Sequence, residues 1–444
     1  MGKYFGTDGV RGKANEGLTL DMSIKIGQYL GWYYGKEKHA KILIGKDTRL
    51  SGDMFELGLA AGATSMGAQV YLLGVCPTPA ISYLVRKERF DCGIMVSASH
   101  NPYYDNGIKC FNHNGEKMEE ELLLEVEKYM DGLTDLDLVT GDHIGEYFEW
   151  EDGLEIYMSW LKECVPVDLS GMKILCDLAN GSATSTAVET LDSLGAIVDA
   201  INNSPNGINI NNKCGSTHPE GLQRMMREGD YDIGLAFDGD ADRLIMVDSD
   251  GKRCDGDYIL YICSRYMKSI NHLNKNMVVT TVMANLGLYK ALDANKIDYI
   301  QTAVGDKYVF EEMQKNDYWV GGEQSGHIIF LEHEVTGDGL MTALKILEIM
   351  KATGKSLKEL SEGLFIYPQL LKNVTVEDKN ACLESKELQE VVDAVANDLG
   401  NEGRILVRPS GTEPLIRVMV EAKTDELCAQ YVKRVTDFLE ENNF

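Results

Sequence analysis

The chain has 444 residues, enough for two to four domains with separate cores. Its content of 44% hydrophobic and 25% charged residues is that of a globular protein, and a formal charge of −27 leaves no positive field to attract nucleic acid. That charge still permits an anionic ligand, provided its site is built locally from Arg, Lys, backbone N–H groups or a metal ion. No stretch approaches the roughly 18 uncharged apolar residues that a membrane span needs. The opening MGKYFGTDGVRG carries no apolar leader core, and Gly6 stands where a myristoylation signal requires Ser or Thr. A cytoplasmic protein is expected. Ten cysteines without a CxxC pair or metal-type spacing read as reduced, mostly buried thiols.

Apolar strands and amphipathic helices alternate along most of the chain, which predicts an α/β fold. KILIG (41–45) and QVYLLG (69–74) read as buried strands around a helix over 52–67. The acidic run 116–137 reads as a solvated amphipathic helix. A second set comprises a helix at 153–165, the strand 173–179 and a helix at 185–195; a third comprises a helix at 257–269, a strand at 277–282, a helix at 285–296 and a strand at 298–304. Beyond Gly354 the pattern changes to helices at 385–400 and 425–441 flanking strands at 405–410 and 415–422. That tail reads as a smaller α+β domain behind a hinge near Tyr367 and Pro368. The expected division is 1–150, 151–250, 251–366 and 367–444. Within the first three pieces one element recurs, apolar strand, short polar loop, apolar strand, at 93–111, 233–247 and 318–330. Strand-end loops are where α/β folds put their chemistry.

FDGDADR places Asp238, Asp240 and Asp242 in such a loop. On a regular strand their side chains would stand about 6.5 Å apart in succession, too far to close on one ion. A curled loop, which Gly239 permits, gathers them into a hard-oxygen cage. An EF-hand fails, since its sixth and twelfth positions would be Arg243 and Ser249. Few carboxylates without His or Cys point to Mg²⁺, with a phosphate oxygen completing the shell.

SASHNP (97–102) ends a buried strand and turns at Pro102, with His100 beside Ser99 and Lys109 on the returning strand. A serine next to a cation and a metal can carry a phosphoryl group. RPSGTEP (408–414) supplies Arg408, Ser410, Gly411 and Thr412, and Arg417 follows on the next strand; together they read as a phosphate cradle. GEQSGH (322–327) offers Glu323, Ser325 and His327 to sugar hydroxyls, and FGTDGVRG contributes Arg11 without a Walker or Rossmann spacing.

In their order along the chain these five loops closely resemble the α-D-phosphohexomutase family. FGTDGVRG and Gln324 are similar to the branch acting on glucosamine phosphates rather than on mannose or glucose phosphates. The resemblance implies three related α/β domains with mixed sheets plus a C-terminal α+β domain around a central cleft. It implies Ser99 as a phosphoserine, with Asp238, Asp240 and Asp242 sharing Mg²⁺ with its phosphoryl oxygen. Arg11 and Lys109 would stabilise moving charge, and His327, His100 and Lys109 are candidate general bases. Arg243, Glu323 and Ser325 would bind the sugar, and Arg408, Ser410, Gly411, Thr412 and Arg417 the distal phosphate. The expected reaction is glucosamine 6-phosphate to glucosamine 1-phosphate through a sugar 1,6-bisphosphate, which serves as intermediate and activator. That step would feed UDP-N-acetylglucosamine synthesis. A hexosamine phosphate is the implied partner, with no nucleic acid and no membrane, and a homodimer is the candidate assembly. Ala241 departs from the Gly frequent in this branch.

Two rivals remain. Asp238 could be the nucleophile of an aspartyl-phosphate phosphatase, with GDKYVFE (305–311) as its downstream acidic motif, although Asp242 stands where such enzymes carry Thr or Val. A non-catalytic sugar-phosphate-binding protein would need the cradle and GEQSGH but neither Ser99 nor the metal loop.

Overall fold

The computed structural model describes residues 2–6, 8–36, 38–409 and 415–442. Contacts group these into two units, one running through Met283 plus Ile297–Glu362, the other comprising Ala284–Lys296 and the chain from Gly363 onward.

The first unit contains three mixed sheets that share one strand order. In the first, Gln69–Val75 lies parallel to Lys41–Lys46, which is parallel to Cys92–Val96, which pairs antiparallel with Asp105–Asn112. In the second, Ile197–Ile201, Lys173–Asp177, Ile233–Phe237 and Leu244–Val247 repeat the sequence parallel, parallel, antiparallel. In the third, Asp298–Thr302, Met277–Thr281, Val320–Gly322 and Ile328–Phe330 do so again. The strand–loop–strand element seen in the sequence is thus the antiparallel return of each sheet. Cys92–Val96 and Ile233–Phe237 are buried at every position. That fits strands covered on both faces, which read as unbroken apolar runs. Their loops leave from the carboxyl ends of parallel strands, where open α/β sheets form ligand crevices.

The acidic run is helical only over Glu120–Met130. Lys117 instead bridges to Phe111, and Gly132, with φ 71°, turns the chain away. Nor is the whole run solvated. Glu127 is buried, and its carboxylate accepts the backbone N–H groups of Lys3, Tyr4 and Phe5, each at 2.7 Å. The segment leading to Arg11 is anchored there.

In the second unit the order of strands is Gln369–Thr375, Leu415–Glu421, Arg404–Pro409, all antiparallel. Ile416, Val418 and Val420 pack with Val432, Val435 and Leu439 of the helix Asp425–Glu441. The helix Leu286–Ala294 belongs here, although it lies in sequence between two strands of the third sheet. Its start is held by Glu421, fully buried, which accepts Leu286 N–H at 2.8 Å and Arg404 Nε–H at 2.7 Å. Asn285 caps the same turn and donates to Tyr367 O at 2.9 Å.

All ten cysteines are free; nine are buried and Cys164 is half-buried. Burial pushes their thiols up, that of Cys164 to about 11 and that of Cys110 to about 12. Among the described residues no helix is long and apolar enough to cross a membrane.

The helix Gly339–Thr353 is capped by buried Asp338, which accepts Leu340 N–H at 2.8 Å, Met341 N–H at 2.9 Å and the Tyr157 hydroxyl at 2.8 Å. Burial outweighs these bonds and pushes the carboxyl up to about 6. Between about pH 4 and 6 the folded chain therefore holds more proton on this group than the unfolded chain does. Its contribution to stability is fully present below that window and is lost as the pH rises through it. Asp338→Asn keeps an acceptor for both amides and should flatten this slope, removing up to about 3 kcal/mol of pH dependence. Urea unfolding of both proteins at pH 4 and pH 7 measures it; parallel profiles would refute the assignment.

Candidate active site

The strand Ile233–Phe237 delivers the acidic loop, which curls at Ala241, left-handed with φ 58°. Curling brings one oxygen from each of Asp238, Asp240 and Asp242 within 4.8 Å of the others, with all three residues buried. Asp240 Oδ1 and Asp242 Oδ1 are buried and accept no hydrogen bond. Hard oxygens, three acids and unused lone pairs fit a divalent cation of the magnesium class. Lys109 Nζ lies 2.7 Å from Asp240 Oδ2 and 3.4 Å from Asp242 Oδ2, and Thr78 donates its backbone N–H to Asp240 O at 2.9 Å. Burial disfavours charge on Asp238 and Asp242. Beside Asp242 and Asp240 it pushes Asp238 well above the usual carboxylate range, whereas Lys109 and His327 hold Asp242 well below it.

Ser99 caps the fully buried strand Cys92–Val96 and is itself left-handed, φ 50°. Its hydroxyl donates to Asp238 Oδ2 at 2.6 Å and lies 3.4 Å from His100 Nδ1. Arg243 Nη1 is 3.3 Å from the same Nδ1. Since a guanidinium only donates, Nδ1 is an acceptor and the imidazole is neutral. Burial, Arg243 and Arg11 agree, lowering His100 to about 4.

Facing this pair is a charge lattice. Arg11 pairs with Asp8, while Lys117 Nζ reaches Asp8 Oδ1 at 3.1 Å and Asp306 at 2.7 Å. Despite burial, Lys117 keeps Asp306 below its ordinary value. Gly337 N–H donates to His327 Nε2 at 3.0 Å, which leaves the ring proton on Nδ1, 3.7 Å from Asp242 Oδ2. Both nitrogens are thereby committed. Glu323 accepts Gly305 N–H at 3.1 Å, and Ser325 Oγ is buried without a hydrogen-bond partner. A cavity of about 390 Å³ opens among Asp8, Lys109, Lys117, Asp242 and Asp306.

In the second unit Arg408 and Arg417 stand directly opposite each other on adjacent antiparallel strands. Partial burial and the Arg417 charge lower Arg408 from its ordinary value. Like charges opposed across a ladder are unfavourable without an anion between them. Ser410, Gly411 and Thr412 lie outside the described residues.

Residues 2–136, 155–251 and 255–366 match the alpha/beta/alpha domains I, II and III of Phosphoglucomutase/phosphomannomutase, and residues 371–438 match its C-terminal domain. The chain belongs to the phosphoglucomutase/phosphomannomutase family. A phosphoglucosamine mutase of Lachnospira eligens is 53% identical over 448 residues, covering 100% of both chains. A solved phosphoglucomutase/phosphomannomutase family protein of Burkholderia thailandensis superposes with a TM-score of 0.80 at 23% identity, over 99% of this chain and 98% of that one. Aspergillus fumigatus N-acetylphosphoglucosamine mutase, solved with GlcNAc-6P and magnesium, gives a TM-score of 0.69 at 18% identity, over 98% of this chain and 96% of that one.

In this phosphoglucomutase/phosphomannomutase family member the described residues singled out by sequence fall into three groups. Ser99, His100, Lys109, Asp238, Asp240, Asp242, Arg243 and His327 are linked by direct contacts, with Arg11 joined through Asp8. Glu323 and Ser325 stand on the neighbouring loop of the third sheet, and Arg408 and Arg417 belong to the second unit. Asp8, Thr78, Lys117 and Arg49 are engaged with these groups, although residue type and spacing mark none of them as a site residue. The motif FGTDG contains Asp8, but Lys117 is hidden in an acidic run whose spacing reads as solvated helix.

The acidic loop makes a two-sided prediction. A Cβ on Gly239 would overlap Ser99 O and lie 2.8 Å from Asn211 Nδ2, so Gly239→Ala should destabilise by about 1–3 kcal/mol and displace Ser99. Ala241→Gly should instead stabilise by about 0.5–1 kcal/mol, because the left-handed φ strains Ala and not Gly. Thermal unfolding of the two variants tests the pair, and shifts of the same sign would refute it.

Proposed function

We propose that this family member is an isomerase that interconverts glucosamine 6-phosphate and glucosamine 1-phosphate through a phosphoserine at Ser99. The observation that carries the reading is the Ser99 hydroxyl, 2.6 Å from one acid of a three-carboxylate loop and within reach of a neutral histidine. The glucosamine assignment rests on the name of the Lachnospira eligens relative, together with FGTDGVRG and Gln324.

In the forward half-reaction the P–O bond to Ser99 breaks as the free sugar hydroxyl bonds to phosphorus, giving the 1,6-bisphosphate. The bisphosphate turns over, and its other phosphate returns to Ser99. His100 is the proton-exchanging group: its ring is neutral, while Lys109 is held charged by Asp240, Asp8 and Asp242 against burial, and His327 has both nitrogens engaged. Asp238, Asp240 and Asp242 would hold Mg²⁺, which supplies charge stabilisation at the transferring phosphoryl group. Arg11 and Lys109 add positive charge beside it. Arg243, Glu323 and Ser325 orient the sugar, and Arg408, Ser410, Gly411, Thr412 and Arg417 grip the phosphate that is not reacting. The four divisions 1–150, 151–250, 251–366 and 367–444, cytoplasmic residence and a homodimer complete the proposal.

Active protein should carry phosphate on Ser99, and Ser99→Ala should lose turnover by several orders of magnitude while keeping its fold. Phosphopeptide mass spectrometry checks the first point. A coupled assay across glucosamine, glucose and mannose phosphates checks the second and should give the highest kcat/KM for glucosamine phosphate. An active preparation without phosphate on Ser99 would overturn the mechanism, and a preference for mannose or glucose phosphate would overturn the substrate.

Asp240→Asn removes one charged oxygen ligand and should weaken Mg²⁺ binding at least about tenfold, read by calorimetric titration with magnesium alone. Unchanged affinity would remove Asp240 from the metal site.

A further inference from the structure

Arg49 lies outside the sequence motifs that carry the family resemblance, yet its side chain is completely inaccessible to solvent. It is directed at one target. Nε–H donates to Asp47 Oδ2 at 2.8 Å, and Nη1 donates to Asp105 O at 3.0 Å and to Pro102 O. Nη2 donates to Ser99 O at 2.8 Å and Asn101 O at 2.9 Å. All five N–H groups of the guanidinium are used, and four of them end on backbone carbonyls of the loop that carries Ser99. Asp47 closes the arrangement by accepting Ser97 Oγ–H at 2.6 Å, while Ser97 Oγ accepts Ser99 N–H at 2.9 Å.

A buried cation aimed at carbonyls rather than at a ligand needs a reason, and the backbone of Ser99 gives one. With φ 50° this residue occupies the left-handed region, which costs a non-glycine residue free energy and persists only where its surroundings enforce it. The left-handed turn aims the hydroxyl at Asp238. A second donor reinforces it: Asn211 Nδ2, from another loop, reaches Ser99 O at 2.8 Å and Asn101 O at 3.1 Å.

We propose that Arg49 is a positioning residue for phosphoryl transfer, holding Ser99 in its left-handed turn so that Oγ stays registered with the metal loop. This rests on the reading of Ser99 as the phosphoryl carrier. A lysine at this position cannot replace the fork, because an ammonium offers three donors from one point and cannot span four carbonyls. Misplacing a reacting atom by about 1 Å can cost on the order of 100-fold in rate.

The test compares wild type, Arg49→Lys, Arg49→Ala and Asn211→Leu in steady-state mutase kinetics and in single-turnover transfer of phosphate from sugar 1,6-bisphosphate to Ser99. Arg49→Lys should lower kcat and the single-turnover rate together by on the order of 100-fold, with KM for the sugar monophosphate within about threefold of wild type. Guanidinium ion at millimolar concentration should recover part of the rate in Arg49→Ala, whereas methylammonium should not. Asn211→Leu should move the same parameters in the same direction by a smaller factor. Wild-type kcat in Arg49→Lys, or a loss confined to KM, overturns the proposal. If neither Arg49 variant folds, judged by near-UV circular dichroism, Asn211→Leu decides, and wild-type rates there overturn it. Failure of the underlying reading would look different, since wild type itself would then take no phosphate on Ser99.

Discussion

Removing three carboxylates from water within one short loop sets the terms for everything around it. Each buried charge costs several kcal/mol unless matched nearby. The chain supplies Lys109 to Asp240 and Asp242, and sets Arg243 and His327 beside Asp242. Two of the acid oxygens still accept nothing from the protein. A divalent cation fits that remainder, so the affinity of the site and the stability of the loop are two expressions of one electrostatic imbalance.

The second requirement is registry between loops from different sheets. Because each sheet repeats the same parallel, parallel, antiparallel order, each contributes an antiparallel return with a loop at the carboxyl end of a parallel strand. The first loop supplies the Ser99 hydroxyl, the second the carboxylates of Asp238, Asp240 and Asp242, the third the side chains of Glu323, Ser325 and His327. Cross-links between them are short and buried: Ser99 to Asp238, Thr78 to Asp240, Asn211 to Ser99. One scaffold used three times has come to carry three different chemistries.

Much of this is legible in the sequence, for reasons that can be named. Period and length suffice for the strands Lys41–Lys46 and Ile233–Phe237 and for the helix Asp425–Glu441, because burial on both faces or along one stripe leaves a direct imprint. The acidic loop is legible because apolar flanks drive its three acids toward the core, where clustered carboxylates favour a cation between them. Lys117 and Glu127 are not, since a charge in an acidic stretch reads the same whether solvated or paired with a partner more than a hundred residues away. Arg49 escapes notice for a related reason: four of its five N–H groups end on backbone carbonyls, which leave no mark on composition. The helix Leu286–Ala294 stands where its sequence predicts, but its membership of the C-terminal unit is not foreseeable. That depends on Glu421 and Tyr367, whose roles no local pattern encodes.

The thiols have a practical consequence. Cys382 and Cys428 lie in the second unit and the other eight in the first, and apart from Cys164 every one is shielded from solvent. Alkylating reagents attack the thiolate, which burial disfavours at neutral pH. Labelling by a small electrophile must therefore wait for the surrounding structure to open. Residue-resolved alkylation rates, read by mass spectrometry, would act as built-in clocks for the breathing of each unit, with no probe introduced into the chain.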